Sequence, residues 1–72
     1  MVRYIEEYGE DEARVDIPIP DDWELDTRSL GWEAWAHSPD GELGIMEYGR
    51  TKAEALRNLK QRMYEWLMTN NG

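Results

Sequence analysis

The stretch Thr51-Lys-Ala-Glu-Ala-Leu-Arg-Asn-Leu-Lys-Gln-Arg-Met-Tyr-Glu-Trp-Leu-Met68 decides the fold. Leu56, Leu59, Met63, Trp66 and Leu67 recur every three to four residues, which places them on one stripe of an amphipathic helix. Glu54, Asn58, Gln61 and Glu65 fall on the opposite face. Thr51 is an N-cap, because its hydroxyl can accept a hydrogen bond from a first-turn N–H. Glu54 stands three residues on, where its carboxylate can reach back to the Thr51 N–H and complete a capping box. Asn70-Asn71-Gly72 supplies residues that tolerate the left-handed conformation of a helix C-terminus.

A helix with one apolar stripe needs a surface to cover, and the preceding residues provide strands. Val2 to Tyr8 alternates Val2, Tyr4, Glu6 and Tyr8 against Arg3, Ile5 and Glu7. Gly9-Glu10-Asp11-Glu12 is a turn. Ala13 to Ile19 is the cleanest period-two pattern, with Ala13, Val15, Ile17 and Ile19 on one face. Pro18 has no N–H for a ladder, so that end of the strand lies at a sheet edge or past the pairing. Residues 20–31 show no clear periodicity. Pro20-Asp21-Asp22 is turn chemistry, Trp23 and Leu25 allow a short extended piece, and Thr27-Arg28-Ser29 reads as loop. Trp32 to His37 is a third strand, and Ser38-Pro39-Asp40-Gly41 is a turn with proline and glycine where a turn uses them. Leu43 to Tyr48 is the fourth strand, in which Gly44 suggests a bulge or a close backbone approach. Gly49-Arg50 leads into the helix.

The expected fold is therefore α+β: a four-stranded antiparallel meander, ββββα, in one 72-residue domain, with the C-terminal helix on one sheet face. Leu56, Leu59, Met63 and Leu67 would pack on Val15, Ile17, Ala34 and Ala36. The other sheet face would stay open.

Composition narrows the function. There is no Cys, so disulfides and thiolate metal sites are excluded, and His37 is the single histidine. The unperturbed pKa of a histidine suits a general base, yet no nucleophile motif or third partner accompanies His37, so no catalytic residue is assigned. Glu10-Asp11-Glu12 and Asp21-Asp22 lack the spaced oxygen ligands of an EF-hand loop, and solvated turns account for them, so no metal or cofactor is expected. No apolar run approaches the length of a transmembrane helix, and charge interrupts the N-terminus where a signal peptide would be apolar. The expected location is cytoplasmic, in the producing cell or in a phage-infected host.

Formal net charge is −8, and it is unevenly placed. Residues 1–47 carry −11 and residues 48–72 carry +3. A field of this sign opposes direct binding to a phosphate backbone and suits a basic protein partner. The plainer alternative is that the carboxylates only keep a small aromatic-rich chain soluble.

Residues 32–68 carry a further signal. Trp32-Glu-Ala-Trp-Ala-His-Ser-Pro-Asp-Gly41, then Tyr48-Gly49-Arg50-Thr51, then Glu54-Ala55-Leu56-Arg57-Asn58-Leu59 resemble the N-terminal domain of HicB-type antitoxins. Gly49, Thr51, Glu54, Ala55, Leu56 and Asn58 match the family's G-x-T-x-x-E-A-L-x-N pattern. The family's proline- and glycine-rich motif in the preceding strand is missing, and the Ser38–Gly41 turn is the nearest counterpart. The resemblance implies a partly open sheet like that of double-stranded-RNA-binding domains. It also implies a protein that neutralises a small, basic, RNA-cleaving toxin.

The candidate partner-binding residues are Glu10, Asp11, Glu12, Asp21, Asp22, Trp23, Glu24, Asp26 and Trp35. Aromatic rings among carboxylates can engage Arg and Lys through charge pairing and cation–π contact. Alternatively, Trp23 and Trp35 cap the small core from its open side. The expected function is that of a non-enzymatic inhibitor on a basic surface of a nucleic-acid-binding protein or nuclease. A phage-type anti-CRISPR protein acting as a DNA mimic comes first. An antitoxin, as the resemblance implies, comes second, and a self-assembling structural protein third. The expected state is a monomer or homodimer, with no membrane partner.

Overall fold

The alternation in residues 2–20 folds as a hairpin. The computed structural model describes residues 2–70, and in it β1 (Val2–Tyr8) pairs antiparallel with β2 (Arg14–Pro20). Ile5 faces Ile17 and Tyr4 faces Pro18. Asp11 closes the turn by accepting the Ala13 N–H at 3.2 Å, and Glu12 takes a left-handed backbone (φ 64°). Val15, Ile17 and Ile19 are buried, as their shared parity requires.

The single four-stranded sheet does not form. Described residues make five strands in two sheets: β1-β2, and a meander of β3 (Glu24–Arg28), β4 (Glu33–His37) and β5 (Gly44–Tyr48). Prolines are the local cause. A proline fits a ladder only where its missing N–H faces away from the partner strand. Pro18 and Pro20 both pair with β1, so they strip donors from the outer edge of β2. The chain then turns at Pro20–Trp23, where the Trp23 N–H bonds to the Pro20 carbonyl at 3.0 Å, and starts a second sheet. The short extended piece expected at Trp23 and Leu25 is a strand that runs from Glu24, with Trp23 still in the turn, and the loop suggested at residues 27–29 begins only after Arg28. Trp32 lies in the β3–β4 connection with φ 40°, after Gly31 at φ 74°, and not in the strand.

In the β4–β5 turn, Gly41 takes φ 76°, and the buried Ser38 hydroxyl bonds to Asp40 at 2.6 Å while accepting the Leu43 N–H. Gly44 marks neither a bulge nor a tight approach, since a Cβ there would meet only the Ala36 carbonyl, at 3.9 Å. The close approaches are at Gly9, against Ala53, and at Gly49, against the first helical turn.

Helix α1 (Lys52–Asn70) spans both sheets, packing on β2, β4 and β5. Leu56, Leu59 and Met63 are fully buried among Val15, Ile17, Ile19, Ala34 and Ala36, while Leu67 and Trp66 are half-buried. The small Ala34 and Ala36 let the helix lie close to β4. The cap read at Asn71 and Gly72 lies outside the described residues. At the N-terminus the Thr51 hydroxyl accepts the Glu54 N–H at 3.1 Å. The reciprocal bond runs from the Arg50 N–H to Glu54 at 3.3 Å, one residue earlier than a standard capping box. Thr51→Ala should therefore lower stability by about 0.5–2 kcal/mol. A urea titration in which the midpoint does not move would show that this cap contributes nothing.

Candidate functional site: an acidic outer sheet face

Strand alternation in β3-β4-β5 sends Leu25, Ala34, Ala36 and Ile45 towards the helix. Their neighbours face outward in three cross-strand rows: Glu24 with His37 and Gly44, Asp26 with Trp35 and Met46, and Arg28 with Glu33 and Tyr48. Because α1 covers the inner face, this outer face has no covering element among the described residues. Glu24, Asp26 and Glu33 make it acidic, and half-buried Trp35 sits at its centre.

Trp35 is held on two sides. Its indole N–H donates to Glu33 at 3.0 Å. The Arg28 guanidinium stands 5.8 Å from the ring centroid, where a partner's cation would otherwise stack. His37 Nε2 lies 3.0 Å from Asp26 Oδ2. That hydrogen bond is the main reason the His37 pKa is raised above its ordinary value; partial desolvation opposes it, and the Ser38 backbone and the Asp26 and Glu24 charges add to it.

This shift fixes a sign. A folded-state pKa above the unfolded value adds stability that is fully present below ~6.5, the unfolded histidine value. The contribution disappears as pH rises through the folded pKa. Thermal midpoints should therefore fall on going from mildly acidic to mildly alkaline pH, and Asp26→Asn should flatten that part of the curve. An identical slope in the variant would show that the pair does not couple to folding.

The nine candidate residues do not form one patch. Glu10 serves the fold: its carboxylate accepts the Lys52 N–H at 2.8 Å and places negative charge at the helix N-terminus. The turn of Glu10, Asp11 and Glu12 thus sits at the start of α1. Asp21 and Asp22 lie on the turn leading to Trp23, and Trp23 packs on Trp66 towards the other end, with ring centroids 5.0 Å apart. From Lys52 to Trp66 a helix rises ~21 Å. Trp23 is only 5% exposed and belongs to the core, the alternative in which its ring caps the core, and its carbonyl accepts a bond from Arg3 at 2.6 Å. What the fold does bring together is Glu24, Asp26 and Trp35.

Sequence reasoning missed other members of this surface. Glu33, His37, Met46 and Tyr48 share the face by register. Leu30, at the β3–β4 tip, is 92% exposed. An apolar residue beside a loop glycine was the available signal for Leu30.

Every residue of the G-x-T-x-x-E-A-L-x-N match has a structural task here. Gly49 admits the helix, Thr51 and Glu54 cap it, and Ala55 and Leu56 are buried. Asn58 donates to the Tyr48 carbonyl at 2.8 Å. The pattern thus coincides with the strand-to-helix junction between β5 and α1. No protein-family model, curated protein or solved structure matches this chain.

Proposed function

We propose that the protein is a small non-enzymatic inhibitor. Its acidic outer sheet face would occupy the basic surface of a nucleic-acid-handling protein, as a phage-type anti-defence protein such as an anti-CRISPR does when it stands in for DNA. One observation carries this reading: Glu24, Asp26 and Glu33 surround Trp35 on a sheet face that the helix leaves uncovered. A cleft that binds phosphate must itself be positive, so such a face complements it. Leu30 adds an apolar anchor at the rim. An antitoxin acting on a basic ribonuclease is the second reading, favoured by the Gly49–Asn58 resemblance.

One assay separates the two. RNA-guided nuclease complexes and small basic ribonucleases are assayed for cleavage with and without the protein, at two salt concentrations. Inhibition of the first group supports the DNA-mimic reading, and inhibition of the second supports the antitoxin. In either case the double reversal Glu24→Lys and Asp26→Lys should weaken inhibition by roughly tenfold or more, since attractive exposed pairs of ~0.2–1 kcal/mol become repulsive. Higher salt should weaken it further. Inhibition indifferent to both salt and reversal would sink the electrostatic reading and turn attention to Leu30, Met46 and Tyr48. Glu10 is a poor reversal site, because Glu10→Lys also removes the bond to the Lys52 N–H.

A further inference from the structure

A second concave surface lies between β2 and α1, with the opposite charge. Arg57, Lys60, Gln61 and Tyr64 recur at helical spacing, and Arg14 and Val15 of β2 close the other wall around a cavity of about 390 Å³. That volume lies within the usual range for small-ligand sites, ~300–1,000 Å³. The charges around it are not equivalent. Arg14 pairs with both Glu6 and Asp16, each at 2.9 Å, so that cluster carries a net charge of −1. Arg57 and Lys60 make no ion pair or side-chain hydrogen bond among the described residues. In a chain of net charge −8 these are two uncompensated cations on one wall. At the rim the hydroxyls of Tyr64 and Tyr4 lie 3.4 Å apart.

We propose that this cleft binds the phosphate group of a small phosphomonoester. Arg57, Lys60 and Gln61 offer a guanidinium, an ammonium and a carboxamide as donors, while the Tyr64 hydroxyl already donates to Tyr4. Phosphate oxygens only accept, and a guanidinium can grip two of them at once. A phosphomonoester carries about −1.5 to −2 charge near neutral pH, which Arg57 and Lys60 attract from the helix wall, away from the Glu6 and Asp16 carboxylates held by Arg14. The Tyr64 ring and Val15 give the esterified group an apolar wall. The site is independent of the acidic sheet face, which belongs to the other side of β3-β4-β5.

The test is a backbone-amide NMR titration of the full chain at low ionic strength with inorganic phosphate, AMP and adenosine. Phosphate and AMP should produce saturable shifts at Arg14, Arg57, Lys60 and Tyr64, and adenosine should not. The pair Arg57→Gln and Lys60→Gln should weaken AMP binding at least tenfold. The same spectra report whether the variant is folded, and the single variant Lys60→Gln carries the test should the pair unfold. Arg62→Gln, which removes an equal charge from outside this cleft, should leave binding unchanged. Shifts that do not saturate, binding of phosphate without AMP, equal binding of adenosine, or equal weakening by Arg62→Gln would each overturn the proposal. The last would show a diffuse helix field in place of a site.

Discussion

Gly49→Ala should destabilise the protein by about 3 kcal/mol or more, the upper range for inserting an atom where packing leaves no room. A Cβ at position 49 would stand 2.8 Å from Ala55 Cα and from the Glu54 carbonyl carbon, and closer still to the Ala55 nitrogen. These are backbone atoms of the first helical turn, so no side chain can swing aside. The Gly49 N–H is also tied to the Trp32 carbonyl at 3.1 Å, which limits movement of the strand end. Either the helix lifts from β5 or the strand end parts from Trp32. For a domain of this size, total stability at the usual per-residue value is roughly 4–11 kcal/mol, so much of it is at stake. Gly44→Ala is the control. Its new methyl meets only the Ala36 carbonyl at 3.9 Å, and the effect should be near neutral or slightly stabilising. Urea titrations of both variants decide the matter. Equal midpoints for Gly49→Ala and wild type would mean that the helix is not seated on the end of β5.

Leu59→Ala should cost about 2–5 kcal/mol. Leu59 is fully buried, with Leu56 before it and Met63 after it on the same stripe, over strands from both sheets. Its removal leaves a cavity where the two sheets meet the helix, and neither Ala34 nor Ala36 is large enough to fill it. Leu67→Ala, at a half-buried position near the helix end, should cost less. If the order of the two variants is reversed in thermal melts, the helix packs by another face than the one described.

The two largest effects differ in how far the sequence foretold them. Leu59 was legible from spacing alone, because helical periodicity is local and needs no partner to be recognised. From sequence, Gly49 reads as a turn into the helix, and Gly44 suggests a bulge or a close backbone approach. The residues that crowd Gly49, Glu54 and Ala55, are near in sequence, but the angle at which the helix leaves the strand is not written in either segment. The candidate site divides in the same way. Glu24, Asp26 and Trp35 were named from composition, and the register of β3 with β4 places them on one face. Trp23 has the same acidic neighbours in sequence and is nonetheless core, because Trp66, 43 positions away, supplies its packing partner.

By itself, the sequence determined the helix and four of the five strands, but not β3, whose residues read as a short extended piece followed by loop. It specified the hairpin of Val2–Tyr8 with Ala13–Ile19, the turn at Ser38–Gly41, the amphipathic helix with its Thr51 cap, the buried stripe, and the acidic balance of the first half. Each follows from side-chain period, backbone preference or charge, which act over a few residues. Tertiary structure alone decided that one helix seats on both sheets, that Glu10 serves the helix terminus, that Trp23 turns inward, and that Arg57 and Lys60 line a cleft with Arg14. Each of these depends on contacts between segments far apart in the chain. Their geometry is set by how one helix can lie against two sheets at once, and no local pattern encodes that.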